Sequence, residues 1–198
     1  MKLKLLIAVL VGFVTTASAQ KMKVESGDFS FLKGQTELKV VMDYSMATFY
    51  KEKMNEEKYI AERKKEIGDN KGKNEAEKWA ADWEHSKKNT FVDKFLASMN
   101  KNMNIKASED VDSKYTLIVE TIWIYPGWFA AVMKQPAKVT TRLKFVETAN
   151  PSNVLLVINS KDAPGDNYIG VANNNDRIAE GYAKTGKSLA RLINRRTK

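Results

Sequence analysis

Residues Lys114 to Tyr125 read KYTLIVETIWIY, the strongest strand signal in the chain. On the two-residue repeat of a strand, Tyr115, Leu117, Val119, Thr121 and Trp123 share one side. Ile118, Ile122 and Ile124 share the other, with Glu120 among them. Apolar residues on both sides predict a central strand, so the chain must build a sheet around this segment. Pro126-Gly127 ends it. The next strand runs from Ala137 to Glu147, with Val139, Thr141, Leu143 and Phe145 inward and Lys138, Thr140, Arg142 and Lys144 outward. Alternation this regular predicts that one side meets solvent. Ala149 to Asn153 (ANPSN) is a turn, and Val154 to Ile158 is a further strand, which makes an antiparallel hairpin.

Upstream, Leu38 to Tyr44 reads as the first strand, and Gln20 to Gly27 as an arm. Asn55 caps a helix that reaches about Lys65, with Tyr59, Ile60 and Ile67 as its thin apolar stripe, and Gly68 to Lys73 is a charged, turn-rich break. Asn74 is placed to cap a second helix running to about Asn102. Its Trp79, Trp83, Phe91, Phe95 and Met99 recur mostly at four-residue steps, with an eight-residue gap between Trp83 and Phe91. That stripe predicts packing on the sheet. Asp162 to Asn175 reads as a Gly/Asn-rich loop, and Asp176 as the cap of a last helix from Arg177 to about Asn194. Ala179, Ala183, Gly186 and Ala190 give that helix a stripe of small residues, which lets it lie close to its support. The prediction is a single α+β domain over residues 20–198: a mixed four-stranded sheet, helices mainly on one face, in the order β-α-α-β-β-β-α.

The N-terminus has the parts of a secretory signal peptide in order. Lys2 and Lys4 precede the apolar run Leu5 to Val14, and Ala17-Ser18-Ala19 forms the cleavage site. Residues 1–19 would be removed, and the protein would be periplasmic or secreted. Gln20 stands where a lipoprotein would need Cys. No later run is long and apolar enough for a transmembrane segment. The chain has 33 Lys and Arg against 24 Asp and Glu, a net charge of +9. Loss of Lys2 and Lys4 lowers this to +7. The lysines are scattered and no recognition motif is present, so nucleic acid is not expected as a partner. An anionic envelope surface, a glycan or a protein partner fits an exported basic chain better. With no Cys, disulfides, thiol chemistry and Cys-ligated zinc are excluded. The single His85 excludes any site that needs two imidazoles.

From Tyr115 to Ile193 the order is long strand, Pro126-Gly127, strand, hairpin turn, strand, Gly/Asn loop, helix. With Pro136-Ala137-Lys138-Val139, Glu147-Thr148-Ala149-Asn150-Pro151 and Arg177-Ile178-Ala179-Glu180, this resembles families of small exported proteins of unknown function from Bacteroides-like bacteria. Their sheet is similar to the N-terminal domain of the periplasmic protein TolB. The resemblance spans about 80 residues and its motifs are structural. It implies an envelope-located, non-enzymatic domain and carries over no functional residue.

Among candidate sites, Trp123 to Phe129 (WIYPGWF) is the most informative. On a loop, Tyr125, Trp128 and Phe129 would form an aromatic platform able to stack on sugar faces or enter a membrane interface. The alternative is that Trp128 and Phe129 fold back to cover an open end of the core. Asp110 and Asp112 lack the Gly and distal Glu of a calcium loop, and Asn173 to Asp176 reads as a turn into a helix cap. No metal site and no cofactor is expected. Lys184-Thr185-Gly186 falls in a helix, where it has no role in acyl transfer. Glu120 and Glu147, on neighbouring strands, are the pair on which a carboxylate-dependent hydrolase would rely. The expectation is a non-enzymatic envelope protein, a binding or structural module, with glycan or small-ligand binding through the aromatic loop as its sharper form.

Overall fold

The computed structural model describes residues 20–130, 133–165 and 174–198, leaving aside the side chains of 129, 130, 133 and 134. The expected signal peptide and the stretch from Asp166 to Asn173 lie outside the described residues. The elements are β1 (Lys21–Gly27), β2 (Glu37–Asp43), β3 (Thr48–Phe49), α1 (Glu56–Lys71), α2 (Lys73–His85), α3 (Phe91–Asn100), β4 (Lys106–Ser108), β5 (Tyr115–Tyr125), β6 (Trp128–Ala130), β7 (Met133–Gln135), β8 (Ala137–Glu147), β9 (Asn150–Gly165) and α4 (Asn174–Arg196). The class is α+β. Its main sheet is ordered β1-β9-β8-β5-β2-β4, with β3 also pairing with β5. Within it β2 runs parallel to β4 and β5, and β1, β9, β8 and β5 alternate antiparallel.

The sheet therefore has seven strands where the sequence predicts four. The extra strands lie at its edges or are very short. β1 reads as an arm in the sequence, since Met22 and Val24 are its only large apolar residues; both pack on the core. Its lysines suit an edge that must not recruit another chain. β3 and β4 hold two and three residues, too few to show a period. β9 extends through Gly165 into the segment expected as a loop.

β5 is central, and one correction to its two faces matters for function. The register with β8 shifts between Thr121 and Trp123, a bulge. Leu117, Val119 and Thr121 face the core as expected, but beyond the bulge it is Ile124 that is buried with them. Trp123 and Tyr125 turn to the outer face, opposite Thr140 and Lys138 of β8.

The helices cover the inner face. The long helix expected from Asn74 to Asn102 is present but changes geometry: Ser86–Thr90 is a π-helical turn between α2 and α3. On a straight α-helix, Trp83 and Phe91 would stand roughly 80° apart. The wider π turn absorbs most of that angle. Both side chains are fully buried, with ring centroids 5.8 Å apart. Gly72, with φ of 92°, rather than Asn74, precedes α2. α4 begins at Asn174, which puts Asp176 within its first turn instead of at the cap. The small-residue stripe of α4 serves two neighbours. A Cβ on Gly181 would meet Val139 of β8 at 2.7 Å, and one on Gly186 would meet the Phe95 carbonyl of α3 at 2.4 Å.

Candidate functional site

The end of the sheet that carries the aromatic segment is organised by β3 and the bulge. β3 pairs Thr48 with Trp123 and Phe49 with Ile124. Tyr50 follows with φ of 56°, a left-handed conformation that turns the chain over the sheet end. Its carbonyl accepts a hydrogen bond from Trp123 Nε1 at 2.6 Å, and its amide donates to the Ile124 carbonyl at 3.1 Å. The Trp123 and Tyr125 rings are near-parallel, 6.1 Å apart. The Tyr50 ring meets Tyr125 edge-on at 6.0 Å.

After Tyr125 the chain reverses through Pro126-Gly127 into the β6–β7 hairpin. Gly127 has φ of 72°, and a Cβ there would lie 2.5 Å from the Gln135 carbonyl. Tyr125 Oη donates to Gln135 Oε1 at 2.8 Å, and Gln135 is the cross-strand partner of Trp128. Trp128 is 39% exposed. Of the three predicted platform residues, Tyr125 is half-buried on the outer sheet face and Trp128 projects from the adjoining hairpin. The Phe129 side chain lies outside the described residues. Trp123, which the alternation puts on the core side, reaches this face through the bulge, and Tyr50, which nothing in the sequence marks, arrives through β3.

The same outer face bears Lys39, Lys138, Arg142 and Lys144, with Lys23 and Lys161 toward the β1 edge. Glu120 sits among them, 6% exposed. Arg142 Nε donates to its carboxylate at 2.7 Å, and Lys144 also pairs with it. Burial opposes its ionisation, but the hydrogen bonds from Lys144 and Arg142 outweigh burial and hold its pKa below the usual value. Glu147 pairs across from Tyr115, on the inner side and five positions along β8 from Arg142, the partner of Glu120. The two carboxylates thus lie on opposite faces of the sheet and do not face each other as a hydrolytic pair. His85 ends α2 beside Asn89, with Nδ1 and Nδ2 3.2 Å apart. Among the described residues no group of three or more His, Asp or Glu is arranged to hold a metal.

A second corner lies among the helices. Between α1, α2 and the first turn of α4 lies a cleft of about 370 Å³, lined in part by Arg63, Lys71, Lys78, Trp79, Asp82 and Asn174. The Arg63 guanidinium carbon lies 5.8 Å from the centre of the Trp79 ring. Behind Asn174 is Arg177, only 5% exposed, which donates to Asn174 Oδ1. Tyr59 Oη, Arg63 Nε, Trp79 Nε1 and Arg177 Nε are all buried without a hydrogen-bond partner among the described residues. Tyr59 and Trp79 read in the sequence as members of core stripes, and Arg177 as an ordinary first-turn residue. Periodicity carries no signal that would mark them otherwise.

No family model matches the chain, and no curated protein sequence matches it. Solved structures do match, at low likeness. A PelC dodecamer from Paraburkholderia phytofirmans is 10% identical, with 87% of this chain and 98% of that chain aligned, at a TM-score of 0.41. A point variant of that protein in a second crystal form aligns over the same shares at a TM-score of 0.38. A likeness of this size assigns neither family nor function.

Proposed function

We propose that the chain is an exported, non-enzymatic protein of the cell envelope that binds glycans on the outer face of its sheet. The observation that carries this reading is the aromatic group at the sheet end. Trp123 and Tyr125 lie parallel on an outer face opposite the one that α3 and α4 cover, Tyr50 braces them, and Trp128 is exposed on the adjoining hairpin. Aromatic faces of this kind stack on the apolar faces of sugar rings. Lys138, directly across from Tyr125, begins the basic row that continues to Arg142 and Lys144. That row favours acidic sugars or an anionic envelope surface over neutral chains.

Export is supported by the order of Lys2, Lys4, Leu5 to Val14 and Ala17-Ser18-Ala19. Cleavage after Ala19 would keep a docked terminus. Gln20 Nε2 donates to Ser160 Oγ at 2.7 Å, and Ser188 Oγ donates to Gln20 Oε1 at 2.6 Å. The resemblance to exported Bacteroides-like families and to the TolB sheet belongs to the same reading. The binding test is a glycan array probed with the protein and with a Tyr125→Ala/Trp128→Ala double variant. The double variant should lose at least tenfold in binding while its circular dichroism stays unchanged. Equal binding by the two proteins would overturn the reading. N-terminal sequencing of protein recovered from a bacterial periplasm should begin at Gln20.

A further inference from the structure

The sheet has one edge that its own strands leave unfinished. β2 pairs with β5 over residues 39–43, but with β4 only over residues 37–39. Beyond Ser108, the last residue of β4, no strand among the described residues lies against residues 40–43 on that side. The register shows which groups face the gap. Lys106 N–H donates to the Thr36 carbonyl at 2.8 Å, so the backbone of Thr36 points toward β4. Strand alternation then points Leu38, Val40 and Met42 the same way. The Glu37 carbonyl, one step out of phase, accepts instead from Ser113 Oγ, just before β5. The Met42 N–H and carbonyl therefore face the open edge, and no group among the described residues pairs with them there. An unpaired strand edge is a template for a further strand.

Alongside the gap lies a cleft of about 320 Å³. It is lined in part by Val41 and Met42 of β2, Tyr44 just after it, Lys88 of the π turn, Val92 of α3, and Glu109. Its two ends differ. Glu109 directly follows β4, so it stands at the Val40 end. Burial, then the charges of Asp110 and Asp93, push its carboxyl pKa up, and no cation pairs with it among the described residues. At the other end Tyr44 Oη donates to the Lys87 carbonyl at 3.0 Å, a bond that ties the strand to the π turn and bounds the cleft. The Lys87 ammonium meets Glu56 at 2.6 Å and Glu84 at 3.2 Å. Lys88 is exposed and meets no carboxylate among the described residues.

We propose that this edge docks the extended C-terminal segment of another protein, added as a short parallel strand in line with β4. The length of the gap, its bounded end and its charges each limit the occupant. Residues 40–44 span about 13 Å, room for about four residues. A segment that enters beside Glu109 and runs parallel to β2 meets the Tyr44–Lys87 bond and ends there, which brings its carboxylate to Lys88. A Lys or Arg about four residues earlier answers Glu109. The Met42 N–H and carbonyl pair with its backbone, and one apolar side chain rests on Met42 and Val92. Strand addition and capture of a terminal carboxylate are both recurring modes of peptide recognition. The chain's own C-terminus does not fit this role, because α4 runs to Arg196 and leaves two residues beyond it. The proposal does not rest on the glycan reading, which uses different residues.

The test uses the mature protein and a fluorescein-labelled peptide, KTVTV, with a free C-terminus. The contacts are to backbone, carboxylate and one cation, so this β-forming sequence should bind saturably by fluorescence polarisation. The same peptide with an amidated C-terminus should bind at least tenfold more weakly. Lys88→Gln should weaken binding of the free acid by a similar factor and bind acid and amide alike. Glu109→Lys should reverse the preference between KTVTV and ETVTV, a change that a purely structural role for Glu109 would not produce. Lys88 and Glu109 are both exposed, so neither variant should shift the melting temperature. Hydrogen exchange at the Met42 amide, followed by NMR, should slow at least tenfold in saturating peptide. No saturable binding, equal binding of acid and amide by the parent protein, or unchanged Met42 exchange would overturn the proposal. Met42 exchange that slows with protein concentration, without peptide, would assign the edge to a second copy and overturn it as well.

Discussion

The sheet end and the helix corner are built from the same kinds of residue and treat their polar atoms in opposite ways. At the sheet end, Trp123 Nε1 has the Tyr50 carbonyl and Tyr125 Oη has Gln135. At the helix corner, Trp79 Nε1 and Tyr59 Oη have no hydrogen-bond partner among the described residues. The first region is complete within the chain and offers ring faces to a partner. The second leaves an indole N–H and a phenol O–H unpaired among the described residues. Aromatic content alone does not distinguish the two; the state of the indole N–H and the phenol O–H does.

The largest effect expected is at Gly127. A side chain there meets backbone at 2.5 Å and must also hold φ of 72°. Gly127→Ala should cost about 3 kcal/mol, the sum of a left-handed conformation and an overpacked turn. Urea unfolding would measure it. A near-neutral variant would mean that the hairpin can reposition, and that Trp128 is not held by this turn. Trp123→Phe is the next largest. It removes the donor to Tyr50 and leaves a carbonyl short of its partner, so a loss of about 1–2 kcal/mol is expected in the same measurement.

Glu120 tests how self-sufficient the outer face is. Its pKa is lowered in the folded protein, so its pairing stabilises above the unfolded carboxyl value of 4.5 and fades as pH falls through the folded value. Glu120→Gln should therefore be less stable than the parent at neutral pH, by less than about 1 kcal/mol because Arg142 is partly exposed. The gap should close in acid. A gap that stays constant with pH would show that packing, rather than charge, accounts for it.

The two regions also differ in how far the sequence revealed them. The central β5, the alternation of β8 and the α4 stripe were all legible, because long elements repeat their pattern often enough to be read. The aromatic segment was legible too, since Tyr125 and Trp128 flank a Pro-Gly turn. Its actual composition was not. The β5 bulge moves Trp123 and Tyr125 to the outer face, and a one-residue shift leaves no mark in the alternation. Tyr50 arrives through a two-residue strand that has no period at all. The helix corner was wholly hidden. Tyr59 and Trp79 read as apolar stripe, and the burial of Arg177 depends on how α4 packs against helices about 100 residues earlier. The π turn lies between these cases: the eight-residue gap between Trp83 and Phe91 was visible, and only the structure showed that the helix widens to close it.

The smallest effect expected is also the one that best separates the two regions. Tyr59→Phe removes only an oxygen that is buried without a partner, so the folded protein loses no hydrogen bond and no longer desolvates a hydroxyl. The ring contacts with Phe49, Trp79 and Trp83 remain. Stability should be unchanged or higher by up to about 1 kcal/mol, opposite in sign to Trp123→Phe. If Tyr59→Phe destabilises as much as Trp123→Phe does, the hydroxyl has a partner in solution and the corner is closed, like the sheet end. If it is neutral or stabilising, Tyr59 Oη is a group the fold does not need for its own stability.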